Sequence, residues 1–403
     1  MRKGIFKKSL CVMIIAMSLF LSSCSNSNDT RCKTEFSKEE LIADYTQLWD
    51  ELYVNYPFFP ILEKKGIYIE QIYQNGLEKL ENDVDTIDEY VILLNSIFGQ
   101  MDEFAHLSLI DTTLYNFLYE YYNTDCESHV SNEERFKILS NEQTKVIYQY
   151  LNTDEAETTD NALNLPEVDM AYFEDIHTAY FHFKTFHYSL IERDRNLMNN
   201  YLATLDNVDN IIIDITGNTG GATQYWNEVI VAPLGGNYDL EYYVYAQNSP
   251  VNQKFFNDYN FIPINQNTTK DSIPDFVNEL GLTHYVICQN TFSYPETEWT
   301  NVKKWVLIDN CVFSSADQFA MFCQKSNWAT LVGQNTLGDG DGFESVYITL
   351  ENTGLLVRFS TTCVANLEGS LNSEYGTIPD ITSLENERPI ETCKRLIAKT
   401  LKK

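Results

Sequence analysis

The sequence predicts a layered α/β core preceded by a helical N-terminal segment, and three observations carry that prediction. Between residues 179 and 333, short apolar runs of strand length alternate with stretches of helical periodicity, the pattern of a sheet covered by helices. One of those runs, Asn210 to Asp214 (NIIID), is apolar enough to be buried on both faces. Residues 37–98, by contrast, repeat apolar positions only at helical spacing.

The N-terminal helices have legible boundaries. Ser37 followed by Glu40 is a capping-box signature, after which Leu41, Tyr45, Leu48 and Leu52 share one helical face until Tyr56-Pro57 stops the helix. A second pattern runs from Ile67 to Leu80, and a third from Asp88 to Phe98 carries Val91, Leu94, Asn95 and Phe98 on one side. Residues 107–175 are rich in tyrosine and acid, with a loop-like polar stretch from Asn152 to Asn164.

The core begins at Ala179, where Ala179, Phe181 and Phe183 alternate with Tyr180, His182 and Lys184, the period of a half-buried strand. A helix pattern spans Ser189 to Leu205. The NIIID strand then ends in Thr216-Gly217-Asn218-Thr219-Gly220-Gly221, and a helix starts near Thr223. Paired glycines at a strand-to-helix turn allow positive φ and close backbone approach, whether or not a ligand is bound. Leu234 to Gly281 reads as loop-rich; strands follow around His284–Cys288, Trp305–Ile308, Ala329–Val332, Ser345–Leu350 and Leu355–Ser360.

Between two of these strands lies the stretch with the most chemistry. After Trp305–Ile308 the chain turns at Asp309-Asn310 and opens a helix near Ser315, with Ala316, Phe319, Ala320 and Cys323 on one face and Asp317 in the first turn, where a negative charge suits the helix dipole. Ser314 or Ser315 therefore sits where a strand hands over to a helix N-terminus. A serine there is either an N-cap or a nucleophile beside outward-pointing N–H groups.

The text F-S-S-A-D-Q-F-A from Phe313, followed by A-T-L-V-G-Q-N-T-L-G from Ala329, resembles the nucleophile region of the tail-specific, or C-terminal processing, serine peptidases. The match makes Ser314 the nucleophile. It is supported by Asp214-Ile215-Thr216-Gly217-Asn218-Thr219-Gly220-Gly221, similar to that family's D-L-R-x-N-x-G-G turn with Thr216 in place of arginine, and by Glu374-Tyr375-Gly376-Thr377-Ile378-Pro379-Asp380-Ile381, similar to its E-x-x-G-[VI]-x-P-D-[IV] segment. The resemblance implies a Clp-protease/crotonase-like fold and an oxyanion hole near Gly220, Gly221 and the Ser315 N–H. It also implies a peptide or unfolded-protein substrate and no cofactor. The N-terminal text from Tyr56-Pro57-Phe58-Phe59 resembles the same family, whose tricorn-like branch ends this region in D-[GS]-H; here the corresponding text is Asp102-Glu103-Phe104-Ala105-His106, two residues longer. His106 is thus the expected base and Glu374 the expected orienting acid. The bacterial members use a lysine 25 residues after the serine, and counting from Ser314 gives Asp339, too weak a base at neutral pH for that role and expected to take no part as one. Two functions stay open: a histidine-using serine peptidase, or a peptidase fold that has lost catalysis and binds a peptide or glycan. The Gly-Leu-Gly-Phe-like loop of the family's PDZ module is not found in the intervening text.

Composition bounds the rest. Arg2, Lys3, Lys7 and Lys8 precede an apolar stretch, Leu10 to Leu21, too short for a spanning helix, and Leu21-Ser22-Ser23-Cys24 resembles the bacterial lipobox. Lipidation at Cys24 and a lipid-anchored place in the cell envelope are the expectation. The expected organisation is a signal peptide at 1–23, a tether at 24–35, a helical subdomain at 36–105, an intervening segment at 106–175 and a catalytic core at 176–403. Without residues 1–23, 24 basic residues face 58 acidic ones, a net of −34 that argues against nucleic acid as a partner. Nine cysteines are present; setting aside Cys11 and Cys24 leaves seven, an odd number with no C-x-x-C, so neither zinc nor a disulfide scaffold is indicated, and Cys311, Cys323 and Cys363 are expected in the core. The acidic loop at Asp339 and Asp341 does not read as a calcium site, because the twelfth position from Asp339 is Leu350 rather than an EF-hand glutamate.

Overall fold

A computed structural model of the chain describes residues 33–125, 130–155, 165–264, 273–340 and 342–400. The expected signal peptide, Cys24 and Asp341 lie outside the described residues.

Six strands form the central sheet in the order Ile381–Thr382, Thr330–Gly333, Lys303–Ile308, Asn210–Asp214, Thr178–His182, Asp169–Phe173, parallel throughout except for the last, antiparallel pair. All five residues of Asn210–Asp214 are buried, because strands flank it on both sides and helices cover both faces. On one face the helix Ser315–Lys325 and the helix Ile191–Leu202 pack into a core with Phe181, Ile211, Ile213, Val306 and Ile308; on the other, Cys393 and Ile397 of the helix Pro389–Thr400 meet Ile212, Trp305 and Leu307. The fold is the expected α/β one with a helical N-terminal region.

That region holds the helices its sequence signals, although the third buries Tyr90, Leu93, Leu94, Ile97 and Phe98 and leaves Asn95 exposed. Helix Lys38–Asn55 starts at the full Ser37–Glu40 capping box and buries Leu41, Tyr45, Leu48 and Leu52; Ile69–Asp83 and Ile87–Gln100 follow, the latter with its own box at Thr86. These helices share one hydrophobic core with the three-stranded sheet Ser108–Leu109, Leu356–Phe359, Val346–Thr349, and with parts of the helices Thr112–Asp125, Val130–Leu139 and Glu142–Glu155 that fill the intervening segment. Asp44, fully buried, fixes the joint: its carboxylate accepts from Asn352 N (2.8 Å), Asn352 Nδ2 (2.9 Å), Thr353 N (2.8 Å) and Thr353 Oγ1 (2.7 Å).

Two expectations need correction. The segment read as loop-rich contains an eleven-residue strand, Gly236–Ala246, paired antiparallel along its whole length with His284–Tyr294. Tyr238, Leu240, Tyr242 and Val244 alternate there with the exposed Asn237, Asp239, Glu241 and Tyr243, the period of a strand with one open face, so this element is legible in the sequence after all. Cys311 is exposed at the turn before the helix Ser315–Lys325, while Cys323 and Cys363 are buried as expected; a turn whose backbone must reach solvent offers no apolar site to its side chains.

Candidate active site

The central strand Lys303–Ile308 delivers the chain to a tight turn. Asp309 Oδ1 accepts from Cys311 N and, across the sheet, from Gly217 N, both at 3.0 Å, so one carboxylate joins the turn before Ser314 to the turn before the glycine pair. Asn218, with no exposed surface, completes the brace. Its side chain donates to Phe183 O (2.9 Å) and accepts from Gly220 N (2.8 Å), and its carbonyl accepts from Phe313 N (3.2 Å).

Ser314 sits on this brace with φ 54° and ψ −129°, a conformation few residues other than glycine adopt. Such strain costs on the order of 1–3 kcal/mol and persists only where surrounding contacts impose it. It does not cap the helix it precedes. Instead Ser314 Oγ lies 3.0 Å from His106 Nε2, inside hydrogen-bond reach.

His106 comes from a different part of the fold. After the helix Ile87–Gln100 the chain takes positive φ at Asp102, Glu103, Ala105 and His106, a turn that accommodates the two residues by which this text exceeds D-[GS]-H. The turn is tied down by Tyr56 Oη donating to Phe104 O (2.7 Å) and by Ser360 N donating to Ala105 O (2.8 Å). Phe313 lies against the imidazole, ring centroids 4.7 Å apart.

The other ring nitrogen, Nδ1, meets Asp339 Oδ2. Asp339 is buried, and Ser373 Oγ donates to its Oδ1 (2.9 Å) and Ser360 Oγ to its Oδ2 (3.1 Å). Burial pushes the Asp339 carboxyl up, but the opposite charge available on His106 and the hydrogen bonds from His106, Ser373 and Ser360 outweigh it and hold the group below its usual range. An ionised Asp339 keeps the proton on Nδ1 and leaves Nε2 as an acceptor toward Ser314.

This arrangement corrects the expected acid. Glu374 does not meet His106: it stands partly exposed on the short helix Asn372–Tyr375, engaged with the side chain of Tyr375 and near Lys64, and the turn of that helix points Ser373 into the site in its place. The oxyanion assignment also narrows. A Cβ on Gly220 would lie 3.0 Å from Ser314 Cβ and 3.1 Å from Ser315 N, so the glycine turn does abut the serine. The Gly220 N–H, however, is taken by Asn218, whereas among the described residues the N–H groups of Gly221 and Ser315 donate no hydrogen bond. Sequence reasoning missed Asn218, Ser360, Ser373 and the part played by Asp339. Asn218 stood in the quoted turn motif; no local signal marks the two serines.

Set beside known proteins, residues 177–383 match the model of peptidase family S41, and that span is just over half of the chain. The chain belongs to peptidase family S41. Its S41 core holds Ser314, Asp339 and both strand-to-helix turns, while His106 lies N-terminal to the matched residues. No curated protein matches by sequence. Among solved structures, a Parabacteroides merdae protein assigned as a peptidase is 16% identical with a TM-score of 0.53, covering 90% of this chain and 97% of its own. Mature CPAF is 12% identical with a TM-score of 0.52, covering 90% and 96%. At such identities the likeness shows the S41 fold.

Proposed function

We propose that this S41 chain is an active serine endopeptidase in which Ser314, His106 and Asp339 act as one unit. The observation that carries the reading is the continuous contact from Ser314 Oγ through both imidazole nitrogens to a buried carboxylate. His106 Nε2 takes the hydroxyl proton as Ser314 Oγ attacks a peptide carbonyl; Asp339 holds the ring and its Nδ1 proton and stabilises the imidazolium that forms. The N–H groups of Ser315 and Gly221 receive the developing oxyanion, with the N-terminus of the helix Ser315–Lys325 behind them. The imidazolium then protonates the leaving amine, and water releases the acyl group by the same route reversed. Asp339 replaces the chemistry of the family lysine by supporting a histidine, rather than by acting as base itself.

Labelling with a serine-directed fluorophosphonate, together with cleavage of unfolded protein and short peptides, tests this. Ser314→Ala and His106→Ala should each abolish turnover, and the double variant should be little worse than either. A wild-type protein that neither takes label nor cleaves would leave the non-catalytic binding role.

The site works at the cell envelope on this reading, held there by lipid on Cys24, whose lipobox-like flanks and preceding apolar run motivate the assignment. Cys24→Ala should move the protein to the soluble fraction; unchanged incorporation of labelled fatty acid in that variant would remove the anchor.

A further inference from the structure

Single exposed apolar residues are ordinary, but three stand within two residues of groups that surround Ser314. Tyr188 (42% exposed) follows Phe186, which bridges to Gly221; Leu337 (56%) precedes Asp339; Tyr375 (51%) follows Ser373. The strand order puts them on two flanks. Tyr188 comes after Thr178–His182 on one side of the central strand Lys303–Ile308, and Leu337 comes after Thr330–Gly333 on the other.

The flanks differ in kind. Tyr375 is engaged with Glu374, which makes its side a polar one. Tyr188 belongs to an aromatic group: Tyr121 meets it edge-on at 5.9 Å and 80°, Phe117 lies 6.5 Å away, and Phe117 and Tyr121 stack on each other at 6.1 Å and 23°. Phe117 and Tyr121 are four apart on the helix Thr112–Asp125 and so share one face of it. That helix is anchored, since Tyr122, buried beside Tyr121 at 5.0 Å, donates to Glu344 Oε2 at 2.7 Å. The group also begins next to the oxyanion turn. His187, 6.1 Å from Phe117, has its backbone nitrogen 3.2 Å from where a Gly221 Cβ would stand.

We propose that Tyr188, backed by Phe117 and Tyr121, forms a side-chain subsite that takes an aromatic residue of the substrate close to the scissile bond. The inference rests on the peptidase reading for where the substrate lies. Aromatic rings pair best edge-to-face or offset at centroid separations of about 4.5–7 Å, the spacing this cluster already shows among its own members, so an incoming ring extends an existing pattern. A glutamate side chain gains no partner among these ring faces and loses hydration against them.

Fluorescent peptides with Phe, Leu, Gly or Lys placed in turn at each of six positions of a neutral, otherwise small-residue sequence test the subsite. Affinity is measured on the Ser314→Ala protein and kcat/KM on the wild type. At one position Phe should be favoured over Gly by about 10- to 100-fold, the range that burying one large side chain supplies. Tyr188→Ala should reduce that preference to less than about 3-fold, Tyr188→Trp should retain it, and Tyr243→Ala, equally exposed on the strand Gly236–Ala246, should not alter it. No aromatic preference at any position, or a preference that survives Tyr188→Ala intact, overturns the subsite. Because binding is read on a protein without its nucleophile, a wild type that fails to turn over removes the peptidase reading while the affinities still decide the subsite.

Discussion

Asp339→Asn separates the structural reading from the one that spacing suggested. The substitution keeps the volume of a side chain that is only 5% exposed and removes its charge. Asp339 Oδ1 accepts from Ser373 and Oδ2 from Ser360 and His106, so every contact it makes is as an acceptor. An amide must turn its NH2 toward one of these sides. If Oδ1 stays with Ser373, the NH2 faces His106 Nδ1 and donates to it, which drives the imidazole proton to Nε2. There it points at Ser314 Oγ, and the ring can no longer accept the serine proton. A wrong tautomer of this kind in a serine–histidine–acid site costs about 10³–10⁴ in kcat, roughly 4–5.5 kcal/mol of barrier, with KM little changed. The assay is peptide hydrolysis and fluorophosphonate labelling at neutral pH on protein checked for folding by circular dichroism. Glu374→Gln in parallel should stay within about 2-fold of wild type, since mutations away from the reacting groups leave barriers nearly untouched. Folded Asp339→Asn that keeps more than about a third of wild-type kcat/KM would refute the reasoning, because it would mean that the negative charge of Asp339 on the imidazole does nothing for turnover. The same variant has a pH signature. A carboxyl held below its ordinary value contributes stability that is complete above the unfolded pKa, near 3.9, and is lost as pH falls through the folded value. Asp339→Asn should therefore flatten part of the loss of stability below about pH 4.

Gly220→Ala adds a Cβ 3.0 Å from Ser314 Cβ and 2.8 Å from Phe313 O at a φ of +102°, so it should displace Ser314 and cut labelling by at least about 100-fold; near-normal labelling would detach the glycine turn from the site. Asp44→Ala leaves four donors on Asn352 and Thr353 without their acceptor in a buried joint, for an expected loss of about 2–4 kcal/mol in denaturant unfolding. A loss under about 0.5 kcal/mol would show that the joint contributes nothing net.

What the sequence determined by itself is local. The capping box at Ser37, the run NIIID and the apolar face of Ala316, Phe319, Ala320 and Cys323 each encode an element through neighbours at most a few residues away, and each forms as read. The motif around Ser314 was equally legible, because a strand-to-helix turn is written in consecutive residues. The strand Gly236–Ala246 alternates in its own sequence, but which strand it pairs with, His284–Tyr294 about fifty residues away, is not written there.

His106 was expected from the resemblance, but only the tertiary structure shows it meeting Ser314 on one side and Asp339 on the other. His106 and Asp339 are 233 residues apart, and nothing in either neighbourhood specifies the other. Counting from Ser314 located Asp339 and read it as no base, but could not show that it meets an imidazole: a carboxylate is a poor substitute for a lysine base yet a good acceptor for an imidazole N–H, and which of these matters depends on what the fold puts opposite it. Glu374 and Ser373 are adjacent in the chain, and a single turn of helix determines which one faces the site. The same holds for Gly220 and Gly221, whose N–H groups differ only in that Asn218 occupies the first. Sequence specifies which groups are available; their facing directions, and hence their chemistry, come from packing between elements far apart in the chain.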